Sequence, residues 1–220
     1  MTTRFRKFGA YRATRVTESL DDVTIALWTV DDLERHVDRA ALLGGENPPE
    51  PPYWAHLWSG ARVLARAIPA GARRVLELGC GLGLPGLAAA VRGARSVLVD
   101  REAAPLAFVR ASAAENRVAA RVDVVQADVL RLPLCARFDV VLAAELLYDR
   151  AAFGATARAI AAALAPGGQA LLADAARIDT RAFYDEITAA GLVWTATEHR
   201  VREEGLPVTV RLVAMRHARD

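Results

Sequence analysis

From residue 73 onward the chain alternates between short, continuous apolar runs and stretches with helical spacing, and few folds accommodate that alternation. "RRVLEL", "SVLVD", "VDVVQA", "FDVVLAAE" and "QALLAD" read as strands, while "LPGLAAAVR", "PLAFVRASAAENR", "FGATARAIAAAL" and "TRAFYDEITAAG" read as helices. Strands apolar on both faces must be covered on both faces, and strands that alternate with helices run parallel. Two further strand-like runs, "LVWTATEHRV" and "PVTVRLVAM", are joined by "REEGL", which predicts a C-terminal antiparallel hairpin. The expectation is an α/β fold: a doubly wound, mostly parallel sheet of seven strands, Rossmann-like, ending in that hairpin.

Ahead of the sheet, "RATRVTESLDDVTIALW" predicts a hairpin turning at Asp21-Asp22. "TVDDLERHVDRAALLGG" predicts a helix capped by Thr29 and stopped by Gly44-Gly45. "ENPPEPPYW" is expected to be extended, because proline fixes φ and restrains the residue before it. A helix is expected through "AHLWSGARVLARAI". These elements divide the chain into a small N-terminal hairpin-and-helix cap, residues 1–52, and a main domain, residues 53–220.

Composition narrows the function classes. The chain has 220 residues, 53% of them hydrophobic and 25% charged, which suits one large core. A net charge of +2 is too small to imply nucleic acid as a partner, and no apolar run reaches the ~20 residues of a membrane span. Cys80 and Cys135 form no metal-binding or redox motif, and the expected location is the cytoplasm. The opening "MTTRFRKFGAYRATR" carries five basic residues and is expected to be a solvated arm.

"VLELGCGLGLPG", residues 75–86, holds four glycines, Gly79, Gly81, Gly83 and Gly86, just past the first strand of the alternating region. Backbone this free of Cβ atoms lets something approach closely. Read from Gly81 it is the dinucleotide fingerprint; read from Glu77 it is the E-x-G-x-G-x-G loop of enzymes that use S-adenosylmethionine (SAM). Pro85 stands where the next helix should start and offers no N–H to a pyrophosphate. Glu77 could hold the α-ammonium of SAM. Asp100, 19 residues after Gly81 at the end of the second of these strands, is placed for ribose hydroxyls, which both cofactors carry. Asp128, after the third, could accept from an adenine amino group or simply cap a loop.

Together these residues resemble the class I, seven-strand SAM-dependent methyltransferases. The resemblance extends to their lysine methyltransferase branch, which includes the electron-transfer-flavoprotein β-subunit lysine methyltransferases and bacterial nicotinamide N-methylase-like proteins. It is carried by "PPYWAHLWSGARVLARAI", by Glu145-Leu-Leu-Tyr148 after the fourth strand, and by "LLADAARIDT" with Asp174 and Arg177. It covers roughly residues 50–215 and departs at "DAAR", where the branch usually has D-P-G-R.

The resemblance implies that Trp58, Gly79, Gly81, Gly83 and Asp100 surround SAM, that Ala144 lies beside the sulfonium, and that Glu145 and Tyr148 line the acceptor pocket. Trp54 and His56 are expected to be scaffold, and His199 and His217 carry no role. A carboxylate and a tyrosine in the pocket suit an amine acceptor, with a protein lysine side chain first. Three rivals stand beside it: a small-molecule N- or O-methyltransferase, an NAD-dependent oxidoreductase and a non-catalytic SAM-binding subunit.

Overall fold

A computed structural model describes residues 5–36, 51–133 and 137–218. The chain opens with a three-stranded antiparallel sheet of β1 (Phe5–Phe8), β2 (Tyr11–Ser19) and β3 (Thr24–Val30). The β2–β3 hairpin turns at Asp21-Asp22, as expected. Its first strand was not expected. Residues 5–8 are not a solvated arm: they pair with β2, Phe5 opposite Thr14 and Phe8 opposite Tyr11. Gly9 at φ +58° makes the turn, and Phe8 packs on Phe108 at 4.6 Å between ring centroids. Arg6 and Lys7 of β1 stay exposed while the backbone is paired, and Arg6 lies over the Trp28 ring at 5.0 Å.

Thr29 does not cap a helix. It lies in β3, and its hydroxyl donates to the Thr14 carbonyl. A single 3₁₀ turn, Leu33–His36, follows, and the rest of the expected helix lies outside the described residues, as do residues 46–50 of the proline-rich stretch. Tyr53–Ala55 forms another 3₁₀ turn rather than extended chain, and α1 begins later than its sequence pattern suggests, at Ser59–Ala67. Trp58, just before it, is extended at φ −66° and ψ 151°.

The alternating region follows its pattern closely. It runs β4 (Arg74–Leu78), α2 (Leu84–Val91), β5 (Arg95–Asp100), α3 (Ala103–Glu115), β6 (Val122–Gln126), β7 (Phe138–Ala144), α4 (Phe153–Ala163), β8 (Leu164–Asp174), α5 (Arg181–Ala189), β9 (Leu192–Glu203) and β10 (Leu206–His217). These strands form one seven-stranded sheet in the order β6-β5-β4-β7-β8-β10-β9. β10 is antiparallel to both its neighbours, and all the other pairings are parallel. The chain is therefore a doubly wound α/β fold with a terminal antiparallel hairpin.

Alternate side chains of the strands enter two cores. Val75, Val140, Leu142 and Leu171 pack with Leu64 of α1, Leu87 of α2 and Leu27 of β3. Leu76, Leu78, Val141 and Ala143 pack with Phe153 and Ile160 of α4 and Phe183 and Ile187 of α5. The small sheet is fastened to the large one through α3. Ser112 Oγ accepts from the Trp28 N–H (3.0 Å), and Asn116 exchanges bonds with the backbone of Ala26 (2.9 and 2.7 Å). No helix among the described residues is long and apolar enough to cross a membrane.

Candidate active site

In parallel sheets, ligands bind beyond the carboxyl ends of the strands, where the strand order reverses. That point lies between β4 and β7, and a cavity of about 680 Å³ opens there, within the ~300–1,000 Å³ range of ligand pockets. Trp58, Glu77, Gly79, Gly81, Gly83, Asp100, Asp128, Ala144, Glu145 and Tyr148 all border it. So do Tyr11 and His36, which the sequence did not nominate, and Asp174 and Arg177, to which the resemblance gave no role of their own. Trp54 and His56, expected to be scaffold, line it too. Tyr11 reaches the cavity from β2 and stacks on His36 (4.6 Å) and Trp54 (5.0 Å), so the small N-terminal sheet contributes part of the wall.

The glycine loop has two separate causes. Gly81 has φ +49°, and a Cβ there would stand 3.0 Å from the Trp54 carbonyl oxygen. Gly83, at φ +74°, would drive a Cβ to 2.7 Å from Leu98 and 2.9 Å from Val109. What presses on Gly83 is the protein's own core, which seats α2 close against β5. At both positions a Cβ would strike the protein itself, so these glycines serve the chain's own packing.

Glu77 is 2% exposed at the inner wall and accepts from the Gly86 N–H at 2.7 Å. Burial pushes its carboxyl up to about 8; the Gly86 N–H opposes this and the Asp100 charge adds to it. Gly86 lies in the first turn of α2, and Pro85 beside it has no N–H to give. The end of α2 that would hold a pyrophosphate thus offers neither donor. A cationic group beside Glu77 is favoured instead.

Asp100 is nearly as buried. One of its oxygens accepts from Gly81 N–H (2.9 Å) and the other from Glu102 N–H (3.0 Å). Burial raises its pKa, and these two N–H groups oppose the rise. Each carboxylate oxygen has a second lone pair for a hydroxyl in the cavity. Asp128 does cap, with one oxygen accepting from Leu130 N–H at 2.9 Å, and it borders the cavity as well. An acid for a cation, two acids for hydroxyl and amino donors, and a helix start whose Gly86 N–H is already taken together suit the nucleoside sulfonium SAM, which has no phosphate.

At the other end of the cavity, Glu145 follows β7 with its backbone at φ +49°, a left-handed conformation costing roughly 1–2 kcal/mol for a residue with a side chain. Its carboxylate accepts from Gly60 N–H (3.1 Å) and Ala175 N–H (3.2 Å) and lies 3.5 Å from the Arg177 guanidinium. Burial raises its pKa, while the Ala175 N–H and Arg177 pull it back. Arg177 also binds Glu203 at 2.6 Å and lies over the Trp58 ring at 4.4 Å. Glu203, at the tip of the C-terminal hairpin, accepts from Ser59 N–H (2.9 Å). Two acids distant in sequence therefore cap α1, where N–H groups and dipole favour negative charge. Tyr148 and Tyr53 both line the cavity and are half exposed. The wide separation of residues 58, 145, 177 and 203 along the chain left no local signal for this cluster.

A methyltransferase-domain family model matches residues 75–168, the stretch from β4 into β8. The ribosomal RNA small subunit methyltransferase G of Paramagnetospirillum magneticum is 34% identical over 166 residues, covering 74% of this chain and 73% of that protein. The zebrafish (Danio rerio) protein N-lysine methyltransferase METTL21A is 36% identical over 112 residues, 46% of this chain, and the chain spans only about half of that relative's length, 51%. Among solved structures, the glycopeptide N-methyltransferase MtfA complexed with sinefungin superposes with a TM-score of 0.55 at 20% identity, covering 71% of this chain and 92% of that one, a likeness of fold. With the cavity's chemistry, these likenesses settle the choice between the two cofactors that the glycine loop left open, and the chain belongs to the class I SAM-dependent methyltransferases.

Proposed function

We propose that the protein transfers the methyl group of SAM to an amine, and that the amine is the side chain of a protein lysine. The observation that carries this reading is the outer half of the cavity. Its rim is aromatic, with Tyr53 and Tyr148 50% and 51% exposed, and its inner wall carries the carboxyls of Glu145 and Asp174. A flexible alkyl ammonium is matched by ring faces along its stem and by carboxylates at its head. METTL21A, named as a protein N-lysine methyltransferase, lends support.

SAM supplies a methyl group already activated by a positive sulfur, so the protein's task is alignment. Gly79, Gly81, Asp100 and Asp128 hold the nucleoside end, Glu77 faces the ammonium, and Ala144 leaves room beside the reacting carbon. Trp58 closes one side of the cavity, fixed by its indole N–H on the Tyr53 carbonyl (3.0 Å). Tyr148 offers a ring face to the incoming amine, and Glu145 sets a negative wall behind it. A cytoplasmic location fits this assignment.

A small-molecule acceptor is the second reading, because His56 (4.2 Å) and Arg177 both stack on Trp58 and crowd the mouth. Incubation with methyl-labelled SAM and fractionated cell extract separates the two. Label on lysine in a protein band is the expected result. Label confined to small molecules or RNA would overturn the lysine reading.

A further inference from the structure

Two carboxyls lie at the inner wall beside Ala144, and their surroundings differ. Glu145 is committed: both its oxygens take backbone N–H groups, and the Arg177 guanidinium lies 3.5 Å from it. Asp174 ends β8 and is 5% exposed at the same cavity. Among the described residues, its one hydrogen bond comes from Ala176 N–H at 2.9 Å, on a single oxygen. The next pair inward in the sheet, Ala144 opposite Ala173, puts Asp174 at the level of Glu145, one strand over. A buried carboxylate has four lone-pair sites and is costly to leave with only one filled.

We propose that Asp174, rather than Glu145, binds the acceptor's ammonium and takes its proton, Glu145 serving to position the loops around it. This rests on the amine reading above. In the step, one N–H bond of the ammonium breaks and leaves its electron pair on nitrogen, and an O–H bond forms on Asp174. The nitrogen pair is then free for the transferred carbon, the C–S electron pair stays with sulfur, and Asp174 returns the proton to solvent. The environment suits such a shuttle. Burial raises the Asp174 pKa, with Ala176 N–H, Arg177 and Arg211 holding the rise in check. The charged groups around it are Glu145 from the loop after β7, Arg177 from the loop after β8 and Arg211 from β10, directly opposite it in register. Both acids face cations, so what separates them is hydrogen bonding: each Glu145 oxygen already takes a backbone N–H, whereas the second Asp174 oxygen is left open to a donor from the cavity.

The test uses n-butylamine as a lysine-side-chain probe with methyl-labelled SAM, and calorimetry of n-butylamine binding to the complex with S-adenosylhomocysteine. Asp174→Asn should bind S-adenosylhomocysteine as the wild type does, bind the amine at least tenfold more weakly, and lose ten- to a thousandfold in rate at pH 7. The loss should shrink toward pH 10, where the amine is already deprotonated. Asp174→Glu, which keeps a carboxyl, should recover part of the rate. A wild-type rate, pH profile and amine affinity in Asp174→Asn would overturn the proposal. So would a loss of S-adenosylhomocysteine binding in both variants, which would make Asp174 a structural residue. Failure of the wild type to methylate or bind the amine, with hydroxyl or aromatic-ring acceptors labelled in extract, would overturn the amine reading itself.

Discussion

At the scale of single residues, Glu77 has the environment with the clearest consequence. Its carboxyl sits near 8 in the folded protein against an ordinary value of 4.5, because burial disfavours the charge. A group raised in the folded state contributes stability that is complete below about 4.5 and lost as pH rises through about 8. The ligand-free protein should therefore lose on the order of 4 kcal/mol across that window. Glu77→Gln keeps an acceptor for the Gly86 N–H and removes the charge. Denaturant unfolding at pH 5 and pH 8 should show a clearly smaller difference in Glu77→Gln than in the wild type, the remainder belonging to Asp100, Glu145 and Asp174, which burial also raises. The same slope in both proteins would show that another group sets it. The cost makes sense if the cavity's usual occupant brings a cation to Glu77, which then favours the charged form.

At the scale of elements, what needs explaining is how the small sheet stays on the large one. Strand β3 is an edge, and edges present unpaired backbone groups. Here a helix completes it: Asn116 of the α3 C-cap bonds both backbone groups of Ala26, and Ser112 bonds Trp28. The ring packing of Phe8, Tyr11 and Trp54 on Phe108 lies alongside. Asn116→Ala should cost about 1–3 kcal/mol, since it strands buried backbone groups, and lower the Tm by roughly 2–12 °C. Because Tyr11 and His36 line the cavity through this sheet, the affinity for S-adenosylhomocysteine should fall in the same variant. An unchanged Tm would mean that the aromatic packing alone holds the sheet.

At the scale of the whole molecule, a ligand that binds only the folded state stabilises it by about 2.7 kcal/mol at a hundred times its Kd. S-adenosylhomocysteine should raise the melting temperature by several degrees, and NAD should leave it unchanged. A shift with NAD alone would contradict the arrangement of Glu77, Pro85 and Gly86 at the start of α2. The cluster of Trp58, Glu145, Arg177 and Glu203 works at this scale too. It joins the segment before α1, the loops after β7 and β8, and the tip of the C-terminal hairpin around one cavity mouth.

The alternating apolar runs from residue 73 determined the sheet, its parallel direction and the terminal hairpin, because a strand buried on both faces leaves an unmistakable composition. The glycine loop with Asp100 pointed to a ribose-bearing cofactor and left NAD and SAM both open. Local patterns failed where partners came from far away. The basic run at residues 5–8 reads as solvated, yet Tyr11–Thr14 pairs with it. Thr29 reads as a cap, yet β2 draws it into a strand. Ser59 starts α1 with no cap of its own because Glu145 and Glu203 supply the acceptors. The same holds for the site. The resemblance of Glu145-Leu-Leu-Tyr148 to the family's motif nominated Glu145, but whether a carboxylate there is free or committed depends on Gly60, Ala175 and Arg177, which only the tertiary structure brings to it.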